Sequence, residues 1–275
     1  MSLDDLNDLP LGKSTVYIDC YNPDLLRVIP RIENRMLLGL ENNSLPFKGV
    51  DIWNAYELSW LDLSGKPVVA AAEIRLPCES LNIIESKSLK LYFNSFNQSH
   101  FKDKESVLTA IQKDISERIG EQVELKFFDE DWQREFKKFP GKCLDSINSE
   151  FSEYHVNSAL LKNTGDTQLI DETVYSHLLK SNCPITHQPD WASVLIAYQG
   201  LPIDHESLLK YIISYRKHDE FHEQSVERVF MDILNRCKPK KLSVYARYVR
   251  RGGIDINPYR SNFDDSPQEL WQFRQ

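Results

Sequence analysis

The feature that most constrains how this chain can fold is that it repeats itself. Shifted by 119 positions and without a gap, Ser88-Leu-Lys-Leu-Tyr-Phe-Asn-Ser-Phe96 lies over Ser207-Leu-Leu-Lys-Tyr-Ile-Ile-Ser-Tyr215. Ser88, Leu89, Tyr92 and Ser95 meet Ser207, Leu208, Tyr211 and Ser214, Phe96 meets Tyr215, and the same shift carries Ser106-Val107 onto Ser225-Val226. Self-similarity at a fixed spacing marks a structural unit that is used more than once. The 275 residues suffice for two compact modules, so two copies of one module are expected.

Hydrophobic periodicity gives each half the same order of elements. In the first, Trp53 to Leu61 and Pro67 to Leu76 read as strands, Glu85 to Phe96 and Lys104 to Ile119 as helices, and Gln122 to Phe128 as a strand. Val107, Leu108, Ile111, Ile115 and Ile119 form an apolar stripe near the 3.6-residue period, and Gly120 is placed to stop that helix. In the second half, Glu172 to Leu179 and Trp191 to Tyr198 read as strands, His205 to Tyr215 and His222 to Cys237 as helices, and Leu242 to Tyr248 as a strand. Each half is thus strand, strand, helix, helix, strand, with room for a fourth strand. Helices grouped after an antiparallel pair indicate an α+β fold rather than a doubly wound parallel sheet. The stretch from about Glu130 to Glu153 has no clean period and is taken as the connection, with some helix of its own. The expected division is 1–150 for the first module with its connecting segment and 151–275 for the second.

Composition excludes several classes of function. A formal net charge of −8 makes the chain a poor partner for a phosphate backbone, so direct nucleic-acid binding is not expected. Met1 to Asp8 is acidic and lacks the apolar run of a signal peptide. Apolar runs such as Val68 to Ala72 are strand-sized, far short of the roughly 18 residues that span a bilayer. The five cysteines (Cys20, Cys78, Cys143, Cys183 and Cys237) are odd in number, widely spaced and without a C-x-x-C pair. That usage reads as reduced thiols in a cytoplasmic protein.

Four short segments carry candidate chemistry. In Ser181-Asn-Cys-Pro-Ile-Thr-His-Gln-Pro-Asp190, a cysteine follows a strand, is flanked by Pro184, and precedes Asp190 by seven residues. The two prolines predict a loop, a suitable platform for a nucleophile and a proton donor. The same residues also suit a turn with a packed cysteine and a strand-capping aspartate, and local chemistry does not separate the two. His218-Asp-Glu-Phe-His-Glu-Gln224 opens a helix, where His222 and Glu223 suit either a site or a solvated helix start. Histidines four apart also fit metal ligation, although further ligands at suitable spacing are missing. Glu85-Ser-Lys-Ser88 opens the corresponding helix of the first half. Arg250-Arg-Gly-Gly253 sets cations beside a backbone that a phosphate can approach, and it also suits a plain β-turn. No G-x-G-x-x-G occurs, so a Rossmann dinucleotide site is excluded.

Taken together these segments resemble one family, the long, two-module form of 7-cyano-7-deazaguanine reductase. The likeness covers nearly the whole chain: Leu11-Gly-Lys-Ser14 and Ile29-Pro-Arg31 near the start, Ile84-Glu-Ser-Lys-Ser-Leu-Lys90, Glu220-Phe-His-Glu-Gln224, and Asp255 to Tyr259 near the end. The resemblance implies two tandem tunnelling-fold (T-fold) modules, each an antiparallel sheet with two helices, and a homodimer. It implies a cytoplasmic nitrile oxidoreductase of queuosine biosynthesis, a tRNA-modification pathway, which spends two NADPH in reducing 7-cyano-7-deazaguanine to its aminomethyl product. Cys183 is then the nucleophile that forms a covalent thioimide, and Asp190 donates a proton to the nitrile nitrogen. Ile84, Glu85, Ser86, His222 and Glu223 bind the substrate, and Ser86, Lys87, Arg251 and Gly252 contact NADPH. No metal is implied.

The chemistry is coherent from below. A thiolate is a strong nucleophile even at a small ionised fraction, and charge that builds on nitrogen as sulfur adds requires a nearby acid. Burial raises the pKa of a carboxyl such as Asp190 into a useful range. His222 suits the donation of a later proton, and a Glu223 carboxylate can accept both N1–H and the exocyclic amine of a guanine-like face. Since Glu85-Ser-Lys87 aligns with Asp204-His-Glu206, and His222-Glu223 with Asp103-Lys104, each half keeps a different part of the site. One site per chain, assembled across the pseudo-twofold, is the expectation. Two competing readings remain at this point. One is a zinc cyclohydrolase of the same fold, which leaves Glu85-Ser-Lys and the arginine–glycine turn without a task. The other is a purine-binding or tRNA-associated interaction protein, which has no need of a flanked cysteine and which the net charge disfavours for tRNA.

Overall fold

The computed structural model describes residues 17–41, 44–128, 135–264 and 266–275. The motifs at Leu11-Gly-Lys-Ser14 and Met1 to Asp8, and the first residues of the connecting stretch, lie outside these. The described residues fall into two compact units, one drawn from Met1–Ser44, Asp51–Gln133 and Arg250–Ile256, the other from Leu45–Val50, Arg134–Val249 and Asn257–Gln275.

The first unit is α+β. Strands β1 (Val28–Pro30) and β4 (Asn82–Ile84) form a small antiparallel pair, with helix α1 (Arg31–Leu37) directly after β1. Strands β2 (Lys48–Leu61), β3 (Pro67–Pro77) and β5 (Glu124–Phe127) lie side by side in the order β5-β3-β2. Helices α2 (Ser86–Asn94) and α3 (Lys104–Ile119) complete it. The core follows from the two periods: Val107, Ile111, Ile115 and Ile119 of α3 and Leu89, Tyr92 and Phe93 of α2 join Trp53, Ala55, Leu58 and Trp60 of β2 and Ala72, Ile74 and Leu76 of β3. Full burial of each large side chain contributes about 1.5–3 kcal/mol. Helix α3 ends at Gly120, whose left-handed φ of 81° suits a residue without Cβ.

The second unit repeats the plan. Strands β7 (Ile170–Asn182), β8 (Pro189–Gly200), β9 (Lys241–Tyr248) and β10 (Ile254–Ser261) follow one another in the order β10-β9-β8-β7, and the short β6 (Lys142–Cys143) pairs parallel to β7. The β7–β8 and β8–β9 ladders are antiparallel. Helix α4 (His205–Ser214) packs on β7 and α5 (His222–Cys237) on β9. Each unit is therefore a mainly antiparallel sheet carrying two main helices, with the short α1 in addition in the first, which is the plan of a T-fold module. No helix among the described residues is long and apolar enough to cross a membrane.

The repeated residues turn out to be pegs. In the first unit the Ser88 hydroxyl accepts the Arg27 N–H (3.0 Å) and donates to the Glu85 carbonyl (2.7 Å). In the second, Ser207 accepts the Lys162 N–H (3.4 Å) and donates to the Asp204 carbonyl (2.8 Å). Ser95 accepts from Asn22 at 3.1 Å, and Ser214 from Asn157 at 3.3 Å. Tyr92 donates to Asp114 (2.6 Å) as Tyr211 does to Asp232 (2.7 Å). The serine bonds fasten the same strap, an Asn-capped 3-10 turn at Pro23–Leu25 or Ser158–Leu160, onto α2 or α4, and the tyrosine bonds tie that helix to α3 or α5. The strands repeat too: Leu61 donates to the Ser99 carbonyl (2.9 Å) and accepts from Phe101 (2.9 Å), while Asn182 donates to His218 (2.8 Å) and accepts from Glu220 (3.1 Å).

Two expectations are corrected. The connecting stretch carries no helix among residues 135–153; its one regular element there is β6, because a stretch without amphipathic period cannot bury a helical face. Pro189 and Asp190 belong not to a loop but to the start of β8, where proline's missing N–H is tolerated as the first residue of a strand.

Candidate active site

The second unit supplies the candidate nucleophile. Strands β7 and β8 form a hairpin in which Ser181 pairs with Asp190 and Asn182 with Pro189, leaving residues 183–188 as the connecting loop. The loop is closed by Cys183 N–H to the Gln188 carbonyl (2.9 Å) and His187 N–H to the Cys183 carbonyl (2.9 Å). His187 sits at φ 55°, left-handed for a residue with a Cβ, a conformation that costs on the order of 1–2 kcal/mol. Asp219 holds both ends of this loop: Oδ1 accepts Asn182 Nδ2 (2.9 Å) and Oδ2 meets His187 Nδ1 (2.8 Å). Lys180 Nζ bonds Asn182 Oδ1 and the Arg216 carbonyl. The free thiol of Cys183 is 3% exposed.

Asp190, 6% exposed, faces helix α5. His222 is the first residue of that helix, and its Nε2 lies 3.2 Å from Asp190 Oδ2. The imidazole stacks on the Tyr248 ring of β9 at 3.7 Å between centroids and 4° between planes. Glu223, the next residue, is buried. The helix start is closed by Gln224, whose Oε1 accepts the Phe221 N–H (3.4 Å). Close by, Glu220 is wholly buried between His218 (3.1 Å) and a bidentate Arg228 (2.8 and 3.1 Å), and these cations hold its carboxyl below the usual range against the pull of burial.

The first unit supplies the second group of residues. Ile84 closes β4, and Glu85 is the N-cap of α2, its carboxylate accepting the N–H groups of Lys87 (2.9 Å) and Ser88 (2.7 Å). The Glu85 side chain is 0% exposed, and burial raises its pKa against the opposing pull of those two amides and of the Lys87 and Arg251 charges. Asp204, its counterpart in the repeat, caps α4 in the same way (2.8 Å to Ser207 N–H), so the cap belongs to the module and the full burial to Glu85. Ser86 and Lys87 form the first turn of α2.

Arg251-Gly-Gly-Ile254 is a two-residue hairpin turn. Arg251 and Ile254 exchange both backbone bonds (2.9 and 3.2 Å), and Gly252 and Gly253 stand at φ 61° and 79°. Two successive left-handed residues are what a type I′ turn requires, so the glycines are explained by backbone geometry alone. A Cβ at Gly252 would lie 3.5 Å from Lys90 Nζ, which brings a cation unremarked in the sequence to the same turn; its spacing of three from Lys87 along α2 was the available signal. Asp255 anchors the turn's far side, accepting from Asn54 (2.6 Å) and Tyr56 (2.5 Å).

The structure thus places Cys183, Asp190, His222 and Glu223 in one unit, with Asp190 and His222 in contact, and Ile84, Glu85, Ser86, Lys87, Arg251 and Gly252 in the other. Tyr248 and Asp219 carried no sequence signal, one reading as a buried strand aromatic and the other as a polar loop residue. Among the described residues no three His, Cys, Asp or Glu side chains gather as metal ligands would.

An antiparallel α+β scaffold with a buried cysteine in the loop that leads into an acid–imidazole pair defines a candidate for covalent chemistry on a small electrophile. The family model for the N-terminal part of the nitrile reductase 7-cyano-7-deazaguanine reductase matches residues 17–127, and that of the QueF-like proteins matches 189–267. The NADPH-dependent 7-cyano-7-deazaguanine reductase of Hydrogenovibrio crunogenus is 51% identical over 255 residues, which cover 92% of each chain. A solved structure, the archaeosine synthase QueF-Like in its apo form, covers 37% of this chain and 99% of its own at 17% identity and a TM-score of 0.31. The chain belongs to the 7-cyano-7-deazaguanine reductase family.

Proposed function

We propose that this protein reduces the nitrile of 7-cyano-7-deazaguanine to a primary amine with NADPH, in queuosine biosynthesis, as a cytoplasmic homodimer. The Cys183 sulfur adds to the nitrile carbon, and the nitrogen takes a proton from Asp190, giving a neutral thioimide with no net change of oxidation state. NADPH supplies hydride, and the four electrons separating nitrile from amine require two equivalents. His222 holds the proton for the later nitrogen, and its contact with Asp190 lets one residue recharge the other. Glu223 accepts from the N1–H and amino groups of the base, and Ile84, Glu85, Ser86 and His222 complete its binding.

The residues assigned to NADPH fit a polyphosphate. Lys87 and Arg251 both act on the Glu85 carboxylate, so two cations serve the start of α2. Gly252 offers backbone without a side chain at the same turn.

The observation that carries this reading is the buried 3.2 Å contact between Asp190 and His222 on the strand that leaves the Cys183 loop. Incubating the protein with the nitrile alone should add the mass of the nitrile to Cys183, and adding NADPH should discharge it with loss of NADPH absorbance. An adduct on another cysteine, or none, refutes the covalent route.

A further inference from the structure

His222 needs more than Asp190 to be held. As the first residue of α5 it has no preceding helical turn to pack against, and its Nδ1 is buried without a hydrogen-bond partner. One contact at Nε2 leaves the ring free to tilt about that contact. The ring plane is fixed by Tyr248, lying 3.7 Å away and within 4° of parallel.

Tyr248 is itself firmly seated. It is 0% exposed and pairs with Ala192 of β8, two residues along from Asp190, so the carboxylate and the aromatic shelf share one strand pair. Its N–H donates to Asn257 Oδ1 (3.1 Å) and its carbonyl accepts from Gln275 Nε2 (3.1 Å), and the same Gln275 amide donates to Asn257 Oδ1 (2.9 Å). The phenol hydroxyl lies near those of Ser181 and Ser225 without a well-formed hydrogen bond to either. The ring, rather than the hydroxyl, meets His222.

We propose that Tyr248 is a positioning residue for the reaction, the shelf that orients the His222 imidazole toward Asp190. This rests on the role assigned to His222 above. A large flat ring lying parallel to the imidazole at contact distance restricts its tilt about the Asp190 contact. Misplacing a reacting group by about 1 Å can cost on the order of a hundredfold in rate.

The test compares wild type, Y248F and Y248L by kcat, nitrile affinity in a calorimeter, melting temperature, and the ring-current shift of the His222 imidazole protons in NMR. Y248F should keep the upfield shift and most of kcat. Y248L should lose the shift and about 10- to 100-fold in kcat, with nitrile affinity maintained. A protein merely loosened by the substitution would lose melting temperature and affinity together. Should Y248L not fold, Y248M gives a flexible apolar side chain of similar reach, with the same expected loss. The proposal is overturned if the leucine or methionine variant loses the shift yet matches wild-type kcat, or if Y248F falls as far as they do. Wild type that neither binds the nitrile covalently nor oxidises NADPH, with its ring-current shift intact, refutes the assigned reaction and the proposal with it.

Discussion

Asp190→Asn is the substitution that most directly tests the assigned chemistry. The amide has the same shape, occupies the same position in β8, and still reaches His222 across 3.2 Å, but it has no acidic proton to give. General acids of this kind contribute about 10²–10⁴-fold, equal to roughly 2.7–5.4 kcal/mol at 1.36 kcal/mol per decade. Asp190 is 6% exposed, so bulk water is a poor substitute and the loss should fall in the upper half of that range. Stability should change little, because the amide keeps the shape of the carboxyl and can still hydrogen-bond the imidazole. The assay is acid-quenched mass spectrometry of thioimide formation without NADPH, alongside calorimetric binding of the nitrile and thermal melting. Binding should persist while adduct formation slows. If Asp190 and His222 share one proton, the D190N/H222N double variant should be no slower than the slower single variant, since residues acting as a unit are not additive. An unchanged rate of adduct formation in D190N at unchanged melting temperature would remove Asp190 from the mechanism.

Four further outcomes are expected. Cys183→Ala should abolish turnover and leave a folded protein, as judged by circular dichroism and NADPH oxidation. Glu223→Ala should weaken nitrile binding by about 2–5 kcal/mol in a calorimeter, since buried partners are left unpaired; an unaltered affinity would make Glu223 a helix-start residue only. Arg251→Ala should raise the KM for NADPH by about ten- to a hundredfold, the worth of one charge-assisted contact of about 1.5–3 kcal/mol, while thioimide formation stays intact; the opposite pattern would invert the division of the site. Asp219→Ala frees both ends of the Cys183 loop and should slow adduct formation without loss of nitrile affinity, measured in the same quench experiment.

How much of this was legible in the sequence depended on length and period. The α3 helix could be read residue for residue, Lys104 to Ile119, because four turns of apolar stripe ended on a glycine with the required φ. The β1–β4 pair could not: three residues are too few to show alternation, and their partners are more than fifty positions apart. The repeat was visible at Ser88, Tyr92 and Ser95, yet its meaning was not, because the two serines accept N–H groups of a strap more than sixty positions away and Tyr92 donates to Asp114 on the next helix. At the site, Cys183 stood out by its prolines, while Asp190 was legible as a residue but misplaced in a loop. Glu85 read as a polar helix start, which it is; its complete burial depends on packing that no local pattern encodes. The roles themselves came from family resemblance, not from spacing.

The doubled pegs have a consequence for how such a chain can change. The hairpin turn from Asp62 to Lys66 occupies in the first module the place that residues 183–188 hold in the second; each follows the strand end clasped at Leu61 or Asn182. In the first module Asp62 spends its carboxylate on tying the turn, accepting from Ser64 and Lys66. An enzyme made of identical copies must carry every reactive group on every copy, so each residue answers to two demands at once. A fused pair releases that constraint: one hairpin settles into a tied turn while its twin accepts the left-handed His187 and the cysteine assigned as nucleophile. Robustness and reactivity are thereby assigned to different stretches of one polypeptide, and the architecture is written twice while the reagent is written once.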